Sequence, residues 1–302
     1  MKIMKKMLAL GLVILFLVSM GAGCGAQKEQ PTDYKPPEPS GTYAHPEYLI
    51  SVDDVKKSIN DPFLLIIDLR PRGIYVREHI PRAINFNSRL LTDYNRVGRM
   101  APPSQFKLAL REYGISNRYK IVVYGATYEH ARLWFALYMY GHGTVQMLDG
   151  GIDKWKSKGY PVIAGRGRKQ PAKYTPTTDR VPAVMATTEE VKTAMENTDQ
   201  KVIIDARSAA EYKAGHIPGS VNVEWNTLLN EDKTFKNANE LGKIFAEKGI
   251  TPDKQIIVYS NQCYRSSYLY FVLKELLGCE NTKNYDGFIL YWKIHKKLQT
   301  GL

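Results

Sequence analysis

Cysteine is scarce in this chain of 302 residues, which has only Cys24, Cys263 and Cys279. That is too few for a disulfide-stapled scaffold. The N-terminal apolar run, Met7 to Met20, is shorter than the roughly 20 residues a comfortable membrane span needs. Six histidines are present, and His45, His130, His142 and His295 have no spacing that would bind a metal. A Gly-rich phosphate loop, a Ser-His-Asp order, a basic recognition helix and an aromatic-basic RNA motif are also missing. Nucleotide cofactors, triad hydrolysis and nucleic acid are therefore set aside, and no cofactor or metal is expected.

What is present begins with a globular balance of 44% hydrophobic and 24% charged residues, long enough for two domains. The first 23 residues have the three parts of an export signal: Lys2, Lys5 and Lys6, the apolar run, then Gly21-Ala22-Gly23 before Cys24. Residues 24–46 carry Pro31, Pro36, Pro37, Pro39 and Pro46 and read as a tether. Removing residues 1–23 takes away three lysines and no acid, so the net charge falls from +12 to +9. Such a charge suits small anionic ligands or an anionic membrane surface.

The stretch Ile256–Leu277 is the chemical centre of the chain. Ile256-Ile257-Val258-Tyr259 reads as a buried strand, Ser260-Asn261-Gln262-Cys263-Tyr264-Arg265 as a tight loop, and Ser266–Leu277 as a helix. A loop of this kind turns its amides inward, and the helix adds the positive end of its dipole, an arrangement that holds an anion or a thiolate. Arg265 adds a fixed cation that would lower the pKa of a nearby thiol. Cys263 and Cys279 are not expected to pair: the intervening helix would be about 18 Å long, whereas a disulfide needs Cα atoms within about 7 Å.

A repeat organises the remainder. Asp68-Leu69-Arg70, Tyr75, His79-Ile80-Pro81, Asp149-Gly150 and Trp155 recur 137 residues later as Asp205-Ala206-Arg207, Tyr212, His216-Ile217-Pro218, Asp286-Gly287 and Trp292. Apolar runs at Leu64–Ile67 and Ile121–Tyr124 alternate with helical segments, among them an amphipathic one around Ala131-Arg132-Leu133-Trp134. The chain therefore reads as α/β, two domains at 47–164 and 187–302, each a mostly parallel sheet with helices on both faces. Residues 165–186 join them as a basic linker, and Thr187 with Glu190 restarts the fold through a capping box. His79 and His216, repeated beside Ile-Pro, read as turn-fixing residues. Arg207 reads either as an anion contact or as half of an Arg-carboxylate brace, and Arg70 repeats it.

These residues resemble the rhodanese family, specifically its two-domain sulfurtransferases acting on thiosulfate or 3-mercaptopyruvate. The resemblance rests on Asp-x-Arg, Gly215-His216-Ile217-Pro218-Gly219, Tyr264-Arg265-Ser266-Ser267 and Asp286-Gly287 before Trp292, and covers about residues 47–297. The first copy looks like the family's inactive domain. In active members a cysteine follows the Val-Tyr strand end and opens a Cys-x-x-Gly-x-Arg loop. Here Ser260 occupies the nucleophile position, Cys263 falls on the glycine, and Gly125 stands at the corresponding place in the first copy. Rhodanese-fold phosphatases have a longer loop, so phosphatase chemistry is not expected.

Two readings stay open. In one, Cys263 points into the loop and acts as a displaced nucleophile assisted by Arg265, with Ser260, Asn261, Gln262, Tyr264 and Arg207 around a small anionic sulfur donor. In the other, the fold has become a binding or assembly component of a cell-envelope complex. A glycine position in such a loop often requires positive φ, which a cysteine adopts only with strain. The start of the chain also resembles a bacterial lipoprotein signal, with Cys24 as the lipidated residue. That implies a lipid-anchored protein of the cell envelope, periplasm-facing or at the outer membrane in a Gram-negative host.

Overall fold

The computed structural model describes residues 43–167, 170–295 and 298–301. The signal-like segment, Cys24 and the tether up to residue 42 lie outside the described residues. Among the described residues no helix is long and apolar enough to cross a membrane.

The first domain contains strands β1 (Leu49–Ile50), β2 (Leu64–Asp68), β3 (Ile84–Asn85), β4 (Lys120–Tyr124) and β5 (Thr144–Leu148). They form one parallel sheet of order β1-β5-β4-β2-β3. Its helices are α1 (Val52–Ser58), α2 (Arg72–Arg77), α3 (Pro103–Glu112), α4 (Glu129–Met139) and α5 (Gly151–Ser157). The second domain follows the short helix α6 (Val181–Val184) and contains β6 (Lys201–Asp205), β7 (Val221–Asn222), β8 (Gln255–Tyr259) and β9 (Thr282–Tyr285). These are again all parallel, in the order β7-β6-β8-β9. An isolated bridge from Met185 to Asn284 lies beside β9, as β1 lies beside β5. The remaining helices are α7 (Thr188–Glu196), α8 (Ala209–Ala214), α9 (Ala238–Ala246) and α10 (Tyr264–Phe271).

Local chemistry explains these boundaries. β4 is buried at all five residues, as expected of an apolar run in a sheet covered on both faces. Ser51 caps α1 by accepting the Asp54 N–H, and Thr187 with Glu190 closes the expected capping box at α7. The segment expected as one helix to Leu277 is α-helical only to Phe271 and continues as a π-turn over Val272–Leu276. Nor is α4 amphipathic: nine of its residues, including Arg132, are buried. It lies between the domains against α10, with Trp134 4.8 Å from Phe271 and Phe135 4.9 Å from Tyr270, so only Glu129 and Tyr138 keep partial exposure.

The duplication is reciprocal where the domains meet. Asp149, in the Asp-Gly corner of the first domain, accepts the Phe235 N–H of the second. Asp286, in the corner of the second, accepts the Met100 N–H of the first. Met100 and Phe235 hold matching places, each closing a loop by an antiparallel bridge, to Thr92 and Leu229 respectively. Arg99 also pairs with Asp286, and Lys154 with Asp232 at 2.6 Å.

Candidate functional site

The candidate loop leaves the C-terminal end of β8, the side on which open parallel sheets bind ligands. β6 delivers Asp205 and Arg207 beside it. Arg207 Nε lies 3.0 Å from both Asp205 carboxylate oxygens, and Nη2 donates to Asp205 at 2.6 Å and to the Gly215 carbonyl at 2.7 Å. Its guanidinium carbon lies 4.4 Å from the Phe288 ring centre. Arg70 makes the equivalent bonds to Asp68 and to the Glu78 carbonyl. Of the two readings of Arg207, this geometry is that of the brace.

The His-Ile-Pro turns are fixed in the same duplicated way. His216 Nδ1 lies 2.8 Å from the Tyr212 carbonyl oxygen, and its ring stacks on Tyr212 at 3.7 Å. His79 does the same on Tyr75 at 3.9 Å. The following amides, of Ile217 and Ile80, donate to the phenol oxygens of Tyr259 and Tyr124 at the strand ends.

Ser260 is buried directly after β8. Its Oγ accepts the Ser266 N–H and donates to Ser266 Oγ, both at 3.2 Å. Asn261 Nδ2 donates to Glu211 at 3.2 Å, while its buried Oδ1 has no partner among the described residues. Gln262 is half-buried. Tyr264 reaches the first domain, donating to the Ser88 carbonyl at 3.3 Å.

Arg265 faces Glu211, not the thiol. Its two terminal nitrogens donate to the two Glu211 oxygens at 2.5 and 3.0 Å, a bidentate fork of the stronger kind. The Arg265 bonds, aided by the Ser208 cap, hold the Glu211 carboxyl down at about 2. The sequence expectation that Arg265 would activate Cys263 is therefore corrected by Glu211, the carboxylate it already serves.

The expected orientation of Cys263 is corrected as well. Cys263 is the N-cap of α10 at φ 58° and ψ 11°, the left-handed conformation of the glycine it replaces. This backbone directs the side chain away from the loop and into the core between the domains. The residue is 0% exposed, and Sγ lies 3.5 Å from Asn284 Oδ1. Burial pushes its thiol up to about 12; Asp286 adds to the rise, while Arg132 and Arg99 oppose it. Cys279 is also a buried free thiol, beyond Gly278 at the end of the π-turn.

Three contributors were not read from the sequence: Asn284, Asp286 as a partner of the opposite domain, and Arg132 as an interface residue. Arg132 is fully buried, donating to Met100 Sδ and to the Leu91 and Arg99 carbonyls, with its guanidinium 4.4 Å from the Tyr264 ring centre. The 137-residue repeat marks Asp286 but does not show that it reaches the other domain.

Comparison with known proteins agrees with this architecture. The rhodanese-like domain matches twice, over residues 51–158 and 187–295. "Putative thiosulfate sulfurtransferase 1" of Mycobacterium bovis is 33% identical over 264 residues, covering 80% of this chain and 92% of its own. Sulfur carrier protein TtuD of Thermus thermophilus is 32% identical over 282 residues, covering 83% and 95%. Among solved structures, SseA of Escherichia coli, described as a 3-mercaptopyruvate sulfotransferase with the rhodanese fold, aligns with a TM-score of 0.72 at 29% identity. That alignment covers 80% of this chain and 98% of SseA.

Proposed function

Given that the chain belongs to the rhodanese family and is sulfurtransferase-like along both domains, we propose that it is a rhodanese-fold envelope protein that binds and no longer transfers sulfur. In this reading the second domain has kept the family loop as a recognition surface for small anionic sulfur compounds or a protein partner. Cys24 is the lipidation site, residues 24–46 hold the domains off the membrane, and the partners are other envelope components. The N-terminal lysines, apolar run and small residues before Cys24 support the anchor.

The observation that carries the reading is the pair Ser260 and Cys263. Sulfur transfer requires a thiolate to attack the outer sulfur of the donor: an S–S bond forms on the protein, the donor's own S–S or C–S bond breaks, and sulfite or pyruvate leaves with the electron pair. A serine hydroxyl cannot carry that sulfur. Cys263 is buried with its thiol pushed up to about 12, so the thiolate that attack requires is scarce at neutral pH.

The names of the relatives favour a second reading, in which a rearranged loop exposes Cys263 as a sulfur carrier. Mass spectrometry of the intact chain after incubation with thiosulfate or 3-mercaptopyruvate separates the two. We expect no gain of sulfur on the native chain and a gain of one sulfur atom on Ser260→Cys, which restores the family nucleophile. A sulfur atom mapped to Cys263 of the native chain would overturn the proposal in favour of the second reading.

A further inference from the structure

The two domains repeat each other closely at the C-terminal ends of their sheets, which makes their differences informative. Asn85 in the first domain donates to the Asp68 and Arg70 carbonyls, and Asn222 in the second donates to the Asp205 and Arg207 carbonyls. The short 3-10 helices that follow, Ser88–Leu91 and Trp225–Leu228, stand at the same interval. Within this matched frame Arg72 of the first domain corresponds to Ala209 of the second, and Arg89 to Asn226. Asn87 likewise corresponds to Glu224, whose carboxylate lies 3.4 Å from the Ala209 N. At these three positions the first domain therefore carries two arginines and no acid, and the second one glutamate and no arginine.

In the first domain this end opens as a cleft of about 430 Å³, lined by Arg70, Arg72, Asn85, Arg89, Tyr113 and Glu129 among others. Arg70 is committed to Asp68. Arg72 and Arg89 are exposed, and neither has an ion-pair partner among the described residues. The charge of Arg72 is felt in the cleft: it opposes the upward push that burial gives the Tyr113 phenol. Glu129 is the one acid lining the cleft, and its oxygens already accept the Thr127 N–H at 3.2 Å and the Thr127 hydroxyl at 3.0 Å. Two arginines thus line a cavity whose own carboxylate is turned to its loop.

We infer that this cleft is a binding site for a small dianion, a dicarboxylate or a sulfur dianion, held by Arg72 and Arg89. Guanidinium forks match planar or tetrahedral oxyanions. Two cations without carboxylate partners set the charge, and the volume admits a compact organic acid as well as an inorganic ion. The ends of β2 and β3 supply the position at which open α/β sheets take ligands. The site is independent of the loop after β8 and needs no thiol. It gives the first domain a role of its own.

The test is calorimetric titration of the detergent-solubilised full-length chain with succinate and, separately, with sulfate. At least one should bind saturably, with Kd raised tenfold or more by Arg72→Gln and by Arg89→Gln, and raised progressively by added salt. Lys243→Gln, at an exposed lysine of α9 outside the cleft, should leave that Kd unchanged. Binding of succinate alone assigns a dicarboxylate, and binding of sulfate alone a sulfur dianion. Absence of saturable binding by either probe would overturn the inference. So would binding that survives both arginine substitutions, or binding lost through Lys243→Gln. Since the two arginines are exposed, their glutamine variants should fold, which thermal unfolding verifies.

Discussion

Asp149 accepts the backbone N–H of Phe235 across the domain boundary at 2.9 Å. Burial there, with Asp232 adding to it, raises the Asp149 carboxyl to about 6. A carboxyl whose folded pKa lies above its unfolded value favours the fold most when protonated, and this contribution declines as pH rises from about 4 through about 6. Asp149→Asn removes the charge and keeps an acceptor. Its stability relative to the native chain, from urea midpoints, should therefore improve between pH 4 and pH 7. Parallel curves would exclude a titrating Asp149.

Cys263 is expected to be silent toward Ellman's reagent in the native protein and to react once unfolded, because its sulfur is buried and protonated. Its positive φ gives a second expectation. Cys263→Ala and Cys263→Gly lose the same sulfur contact, but only glycine relieves the left-handed backbone. The glycine variant should be the more stable of the two by about 1 kcal/mol. Equal denaturation midpoints would show that the backbone there is unstrained.

Arg207 is a brace in this structure, so its removal should act on stability first. Arg207→Ala strands Asp205 as a fully buried carboxylate, with an expected cost of about 3–5 kcal/mol. Arg70→Ala should cost a similar amount through Asp68. Chemical denaturation measures both, and a loss of ligand affinity at unchanged stability would restore the substrate-contact role.

The Glu211–Arg265 pair predicts the opposite acid response to that of Asp149. The Glu211 carboxyl is held at about 2, so the stabilisation it gives is complete above its unfolded value and disappears as pH falls from about 5 toward 2. The pair is partly open to solvent, which limits its contribution to about 1 kcal/mol. Glu211→Gln should lack this acid-sensitive component, and identical acid unfolding curves for the variant and the native chain would sink the assignment.

Much of this architecture was legible in the amino-acid order. The runs at Leu64, Ile121 and Ile256 became β2, β4 and β8 because parallel strands covered on both faces must be apolar throughout. The repeat announced two copies of one fold, and the glycine position in the loop anticipated the positive φ of Cys263. Contact partners were not legible where they lie far apart in sequence. Glu211 is 54 residues from Arg265, and Asp286 is 186 from Met100, separations over which no periodicity speaks. The near-complete burial of α4 was hidden for the same reason, since its outer face is covered by the second copy of the fold.

The crossed amides of Met100 and Phe235 also bear on the history of the chain. Each copy closes an Asp-Gly corner of the other, so a half produced by splitting the gene in the linker would inherit an aspartate without its donor and an amide without its acceptor. Duplication here works as a ratchet. Once the exchange was established, neither copy could be discarded without leaving these groups of the other unpaired.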